Sequence, residues 1–281
     1  MKAQIFITIL SIFTILVFNC SSSTEPSDFI EPVMVKIDKD LVTSFGSIFE
    51  RDLDVQTYTI EQPYEIGKYE ITNLEYNEFV KDMGYTNSQY WSDEGWIKRN
   101  EGEWLMPLMW IESEIPWEQD FVSNQKDTPV HGISFYEAEA YCNWLSYQTG
   151  KNFFLPDRIL WIRAAQGPDP GFIYPWGDEW NENNMNYYPS NTPPSLEYSL
   201  VPVYSFEQGA SIEGCHHMVG NAYELVRSIE EDHTGNESAL VCAHNSLILS
   251  VHTPKDIINT GANFVKYGDR RAGYGFRICR R

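Results

Sequence analysis

The chain has 281 residues, 42% of them hydrophobic and 15% aromatic, which suits one folded domain with a substantial core; two small domains are the alternative. Twenty Lys and Arg stand against forty Asp and Glu, a formal charge of −20. A field of that sign repels phosphate backbones and anionic headgroups, so nucleic acid is excluded as a partner, and the acidic residues read as solvated surface.

Residues 1–20 form an export signal: Lys2 supplies the positive end, and Ile5 to Phe18 is apolar up to Asn19-Cys20. The run is too short for a membrane span. A cysteine directly behind it resembles a bacterial lipobox, with Cys20 as the lipidated mature N-terminus. Ordinary cleavage or a retained anchor are the alternatives, because Val17-Phe18-Asn19 is bulkier and more polar than that motif prefers. Residues 21–32 then read as a flexible polar tether, and residues 33–281 as the folded domain. Export would place Cys142, Cys215, Cys242 and Cys279 in an oxidising compartment, where four cysteines allow three pairings.

Val33–Ile37 alternates as an opening strand. Thr72-Asn-Leu-Glu75 is a capping box, and Tyr76, Phe79, Val80 and Met83 follow at helical spacing until Gly84. Ser134-Phe-Tyr-Glu137 is a second capping box; its helix carries Phe135, Ala138, Cys142 and Leu145 on one face and stops near Gly150. Asp157 caps a third helix through Leu160, Trp161 and Ala164, which ends by Gly167-Pro168. Beyond it the chain is dense in Pro, Gly, Asn and aromatics, with short strands expected at Leu200–Phe206, Leu240–Ala243, Leu247–Val251 and Tyr274–Cys279. Few helices, many short strands and long loops give an α+β fold.

The order of short motifs carries more than their periodicity. Ile66-Gly-Lys-Tyr-Glu-Ile-Thr-Asn73 is followed by Pro129-Val-His-Gly-Ile-Ser-Phe-Tyr136 and Ala140-Tyr-Cys-Asn-Trp-Leu145. Leu155-Pro-Asp157, Tyr174-Pro-Trp-Gly-Asp-Glu179, Met218-Val-Gly-Asn-Ala-Tyr-Glu224 and Tyr274-Gly-Phe-Arg-Ile-Cys279 come after. This set resembles the formylglycine-generating enzyme family, also called the sulfatase-modifying factor domain, over nearly all of residues 33–281. The resemblance implies an elaborated C-type-lectin-like fold. It also implies a disulfide between Cys142 and Cys279, with two buried free thiols as the alternative.

Active members of the family oxidise a substrate cysteine to formylglycine, with copper(I) held by two thiolates. Here Val241-Cys-Ala-His-Asn-Ser-Leu247 aligns with the segment before those thiolates, which puts Leu247 and His252 at the catalytic positions. Neither offers a thiolate, so copper is not expected and no catalytic residue is assigned. Cys242 remains the weak alternative, either alone or paired with Cys215. By the same resemblance, the carbonyls of Gly220 and Ala222 and the side chain of Glu224 would hold calcium. The position where the family adds an acid or amide is His217, whose imidazole suits a hard cation poorly. At a second family site Asn186-Tyr187 matches, but Ser195-Leu-Glu197 lacks the facing aspartate.

His131, His216, His217, His233, His244 and His252 show no two-His helical spacing and read as surface or packing residues. In the Tyr174–Glu179 segment, Pro175 and Gly177 set a turn, Trp176 is expected to fill core beneath it, and Asp178 to bond the turn's amides. A related branch uses iron on three histidines together with an added helical domain, for which residues 21–32 leave no room. The resulting expectation is a lipid-anchored envelope protein that binds or scaffolds a protein, peptide or glycan without oxidase chemistry. The alternatives are an oxidoreductase of the family's type acting on cysteine of a protein substrate, and a structural part of a secretion or motility assembly.

Overall fold

Arg280 and Glu65 face each other across two antiparallel strands whose other side chains turn inward. This pairing organises the first sheet of the computed structural model, which describes residues 30–44, 56–112, 125–168, 172–186, 200–227, 239–242 and 263–281. Strands β1 (Met34–Ile37), β4 (Tyr64–Gly67), β5 (Phe153–Phe154) and β10 (Cys279–Arg280) lie in the order β1-β4-β10-β5, all antiparallel. Tyr64 and Ile66 are buried, while Glu65 between them accepts from Arg280 Nε at 2.5 Å and Nη2 at 3.0 Å. That is the period-two alternation of a half-buried sheet, with opposite charges paired on its wet face.

A hairpin of β2 (Asp40–Ser44) and β3 (Gln56–Ile60) stands apart. The second sheet has the order β8-β7-β6-β9: β6 (Tyr223–Arg227), β7 (Ala239–Cys242), β8 (Asn263–Val265) and β9 (Tyr274–Gly275). Only the β6–β9 pair within it is parallel. One compact unit runs from Glu31 to Arg281.

The helices begin where local chemistry sets them. In α1 (Asn73–Lys81) the Thr72 hydroxyl accepts from Glu75 N–H at 3.1 Å, and the Glu75 carboxylate accepts from Thr72 N–H at 2.8 Å. Helix α2 (Asp93–Glu101) starts on Ser92, and a short α3 (Leu108–Glu112) follows. Helix α4 (Phe135–Thr149) repeats the reciprocal cap with Ser134 and Glu137, and it stops at Gly150, whose φ of 69° is the left-handed conformation glycine adopts freely. Helix α5 (Arg158–Gln166) is capped by Asp157. Every residue of α5 is buried, so it is an interior helix; its apolar residues share a core with Ile37, Tyr64 and Ile66 of the first sheet and Val226 of the second. Among the described residues no helix is long and apolar enough to cross a membrane.

Helices α1 and α4 meet through rings: Tyr76 stacks on Tyr141 at 5.4 Å between centroids, and Phe79, Trp144 and Phe276 meet them edge-on or tilted. The three expected helices and both capping boxes are present, as are the opening strand and the strand through Leu240. Two expectations are corrected. Residues 200–206 form turns, since Phe206 adopts a left-handed φ of 56° and Pro202 lacks a ladder donor. Tyr274–Cys279 is two strands, one in each sheet, separated by Phe276–Ile278. The expected strand at Leu247–Val251 lies outside the described residues.

Candidate functional site

Gly220 and Asn221 make a tight turn in which position 220 has no room for a side chain. Both have positive φ, 83° and 59°, and a Cβ on Gly220 would come within 2.5 Å of the Asn186 carbonyl. Asn221 uses its polar groups fully: its N–H donates to Asn186 O, its Oδ1 accepts from Val201 N–H at 2.9 Å, and its Nδ2 donates to Glu70 Oε2 at 2.8 Å. Glu70 Oε1 accepts from Ala222 N–H at 3.0 Å. The turn delivers the chain into β6, where Tyr223 to Val226 are all buried.

Glu224, on β6, is wholly buried together with Arg277. The guanidinium donates from Nε and Nη2 to the two carboxylate oxygens, each at 2.6 Å, and Trp161 Nε1 donates to Oε2 at 2.8 Å. The remaining arginine protons reach backbone: Nη1 donates to Gly67 O at 3.0 Å and Nη2 to His216 O at 2.7 Å. This is a forked, charge-assisted pair that gathers four separate segments. Burial, and secondarily the Glu224 charge, push the Glu70 carboxyl up to about 8. Arg277 moves the other way from what burial alone would cause: the Glu224 carboxylate raises it despite the desolvation.

That arrangement decides the fit of calcium. Both oxygens of Glu224 are committed to a guanidinium that already neutralises them, and the Asn221 side chain is consumed by Val201, Asn186 and Glu70. A calcium ion drawing on Gly220, Ala222 and Glu224 would have to displace Arg277 from a dry interior, where an unpaired arginine is costly. The three residues do not fit the ion, and the expected calcium role of Glu224 is replaced by a structural ion pair. Among the described residues no group of three or more His, Cys, Asp or Glu is placed to hold a metal. Of the second family site, Asn186 is spent on Asn221, and Tyr187, Ser195 and Glu197 lie outside the described residues.

The expected Cys142–Cys279 disulfide is absent: Cys142, Cys215, Cys242 and Cys279 are all free thiols and all buried. Cys215, Cys242 and Cys279 sit in the α5 core among Ile, Leu and Met side chains, where a thiol packs as a small apolar group. Burial pushes Cys215 up to about 11 and Cys242 up to about 12, and raises Cys142 and Cys279 as well. Cys242 closes β7 directly opposite Glu224. Leu247, His252 and Cys20 fall outside the described residues.

The aromatic turn is partly as expected. Tyr174 and Gly177 exchange backbone hydrogen bonds of 2.9 and 3.1 Å, and Asp178 Oδ1 accepts from Ile173 N–H at 3.1 Å. Its core residue is Tyr174 rather than Trp176: Trp176 is half-buried, stacks on Tyr174 at 5.4 Å and donates to Glu179 O. Of the described histidines, His216 and His217 are buried and His131 is half-buried. Burial holds His131 down at about 4, and its Nδ1 accepts from Gly273 N–H at 3.0 Å. His216 and His217 are both buried beside the Arg277 clamp, a placement that the absence of helical spacing conceals.

Comparison with known proteins bears on the family and the fold. The chain is 30% identical over 189 residues to hercynine oxygenase of Mycobacterium tuberculosis, covering 63% of this chain and 40% of that protein. It therefore spans well under two thirds of that relative's length. It is 26% identical over 193 residues to inactive C-alpha-formylglycine-generating enzyme 2 of Bos taurus, covering 59% of this chain and 60% of that one. Among solved structures, PvdO from Pseudomonas aeruginosa superposes with a TM-score of 0.61 at 19% identity, covering 89% of this chain and 94% of PvdO. CarF does so with 0.63 at 18%, covering 89% and 98%; at these identities the likeness shows the fold alone. The description "Sulfatase-modifying factor enzyme 1-like domain" matches residues 30–281, and the chain belongs to that family.

Proposed function

We propose that the chain is an exported, lipid-anchored binding or scaffolding module of the cell envelope, built on the sulfatase-modifying factor domain without its cysteine-oxidising chemistry. The observation that carries this reading is the state of Cys242. It is the described cysteine nearest the positions aligned with the family's thiolates; it is 1% exposed, and burial raises it to about 12. A thiol so placed offers a negligible thiolate fraction at neutral pH, and the thiolate is the form that binds metal or attacks. Leu247 and His252 at the aligned positions point the same way, and one relative bears the name of an inactive enzyme. Loops held on a stable frame suit recognition of a protein, peptide or glycan.

Incubating the purified chain with copper(I), oxygen and a cysteine-containing sulfatase peptide is expected to leave the peptide mass unchanged. Conversion of the cysteine to formylglycine, abolished by Cys242→Ser, overturns the reading. The anchor is tested separately: intact mass should show acyl chains on Cys20, and Cys20→Ser should release the protein from the membrane fraction.

A further inference from the structure

Tyr85 is buried against α1 and α4, and its hydroxyl donates to Glu137 Oε1 at 2.5 Å. The Tyr76 hydroxyl lies 3.1 Å from the Tyr85 oxygen. A phenol has one proton, and Tyr85 spends its own on Glu137, so Tyr76 is the donor in the second bond. The carboxylate at the end of this relay also accepts from Ser134 N–H at 2.8 Å and pairs with Arg270 Nε at 3.0 Å. Tyr141 stacks on Tyr76 at 5.4 Å, yet its buried hydroxyl has no hydrogen-bond partner. Of these three phenols, only Tyr85 touches a base that can take its proton.

A line of oxidisable rings leads from Tyr85 towards the surface. Its ring centre is 5.7 Å from that of Trp91, which is 6.3 Å from that of Trp96. Rings at such separations are neighbours in contact or nearly so, close enough to pass an electron. Trp91 is 7% exposed and is pinned by its Nε1, which donates to Gly84 O at 2.8 Å; Trp96, on α2, is half-buried. The Arg99 guanidinium lies over the Trp96 ring at 5.4 Å, which disfavours a positive hole resting there and drives it inward. A second line, from the exposed Tyr147 through Tyr90 at 5.9 Å, meets Phe79 at 6.5 Å. A phenyl ring is too hard to oxidise to carry a hole further.

We propose that Trp96, Trp91 and Tyr85 form a hole-transfer chain that ends in a neutral tyrosyl radical at Tyr85. A one-electron oxidant of the peroxyl-radical class takes an electron from Trp96 and becomes the hydroperoxide anion. Trp91 refills Trp96, and Tyr85 refills Trp91 while passing its hydroxyl proton to the Glu137 carboxylate. The products are the anion, the tyrosyl radical and a protonated Glu137: one electron has left the protein and one proton has moved within it. Glu137 and Tyr76 then both donate to the radical oxygen, which holds it in the dry core. An electron returned by a reductant of the ascorbate class draws the proton back from Glu137. The activity is a sink for surface oxidation, independent of the binding role and of the four described thiols.

The test places the oxidant beside Trp96. Asn100 is exposed on α2 and stands one turn beyond Trp96, so Asn100→Cys in a Cys20→Ser chain carries a ruthenium polypyridyl label that the buried thiols escape. Flash oxidation of the ruthenium is expected to give a tyrosyl radical in frozen-sample electron paramagnetic resonance. Tyr85→Phe should abolish that signal, and Tyr141→Phe should leave it unchanged. Trp91→Phe should slow its appearance roughly tenfold or more, about 1.4 kcal/mol of barrier. A radical confined to tryptophan, a tyrosyl signal that survives Tyr85→Phe, or a rate indifferent to Trp91→Phe each overturns the chain. Should Tyr85→Phe fail to fold, double resonance on the chain with native Tyr85 decides: an exchangeable proton bonded to the radical oxygen is expected, and its absence overturns the assignment to Tyr85.

Discussion

Two glutamates, Glu137 and Glu224, are wholly buried, and each takes an arginine from the C-terminal segment, yet the two pairs do different work. Arg277 is itself wholly buried and grips Glu224 with two 2.6 Å bonds, spending its remaining protons on two distant carbonyls. Arg270 keeps 9% of its side chain in solvent, approaches Glu137 through Nε at 3.0 Å, and lies over the Trp104 ring. Glu137 has other duties: it closes the α4 capping box on Ser134 N–H and accepts from the Tyr85 hydroxyl at 2.5 Å. The first pair is a clamp without a substitute; the second is one tie among several. Burial of a charge is costly in both, but only the first arginine has nowhere else to send its charge.

The largest expected effect separates them directly. Arg277→Met should lower unfolding free energy by about 3–5 kcal/mol, because it strands Glu224 in the interior. Arg270→Met should cost roughly 2 kcal/mol, since Glu137 keeps its backbone and tyrosine donors. Urea titration of both measures the difference, and equal losses would erase the distinction. Next, Trp161→Phe removes one donor from Glu224 and should cost about 1–3 kcal/mol by the same titration. Ser134→Ala tests the weaker tie through its cap and should cost about 1 kcal/mol.

A separate effect is one of pH. Glu70, beside the clamp, has its carboxyl raised to about 8 from an ordinary 4.5. Between those values the folded state holds a proton that the unfolded state has released, so this contribution to stability falls as pH rises. Melting temperature should therefore decline between pH 6.5 and 8, and Glu70→Gln should flatten that decline. His217, held at about 3 by burial, acts oppositely below pH 6.5: the unfolded chain takes up the proton, and stability falls with acid. An unchanged slope in Glu70→Gln would locate the pH response elsewhere.

How much of this the sequence displays follows from the reach of each interaction. Thr72 with Glu75, Ser134 with Glu137, and Gly150 act within a turn of their own positions, and all three are readable as caps. Glu224 and Arg277 stand in two of the ordered motifs but 53 residues apart, and composition offers no sign that they meet. Read as a loop, Met218–Glu224 resembles a calcium site; in space its acid belongs to an arginine. Strand β6 escapes a reading by periodicity because all four residues from Tyr223 to Val226 are buried, leaving no alternation to detect. His216 and His217 read as surface or packing residues because neither helical spacing nor burial can be read from a pair of neighbours; the structure places both in the packing.

Strands β9 and β10 lie in different sheets, and Arg277 stands between them. A growing chain that has reached only residue 270 would expose the β4 edge that Cys279 and Arg280 later pair with, and would hold Glu224 with no counter-charge. Gly67 and Arg277 meet across 210 residues of sequence. Such a fold cannot be finished from its N-terminus onward; its last decisive step waits for the C-terminal segment. Closure over separations this long is slow, so the unfinished chain stays open for longer than one built from local contacts.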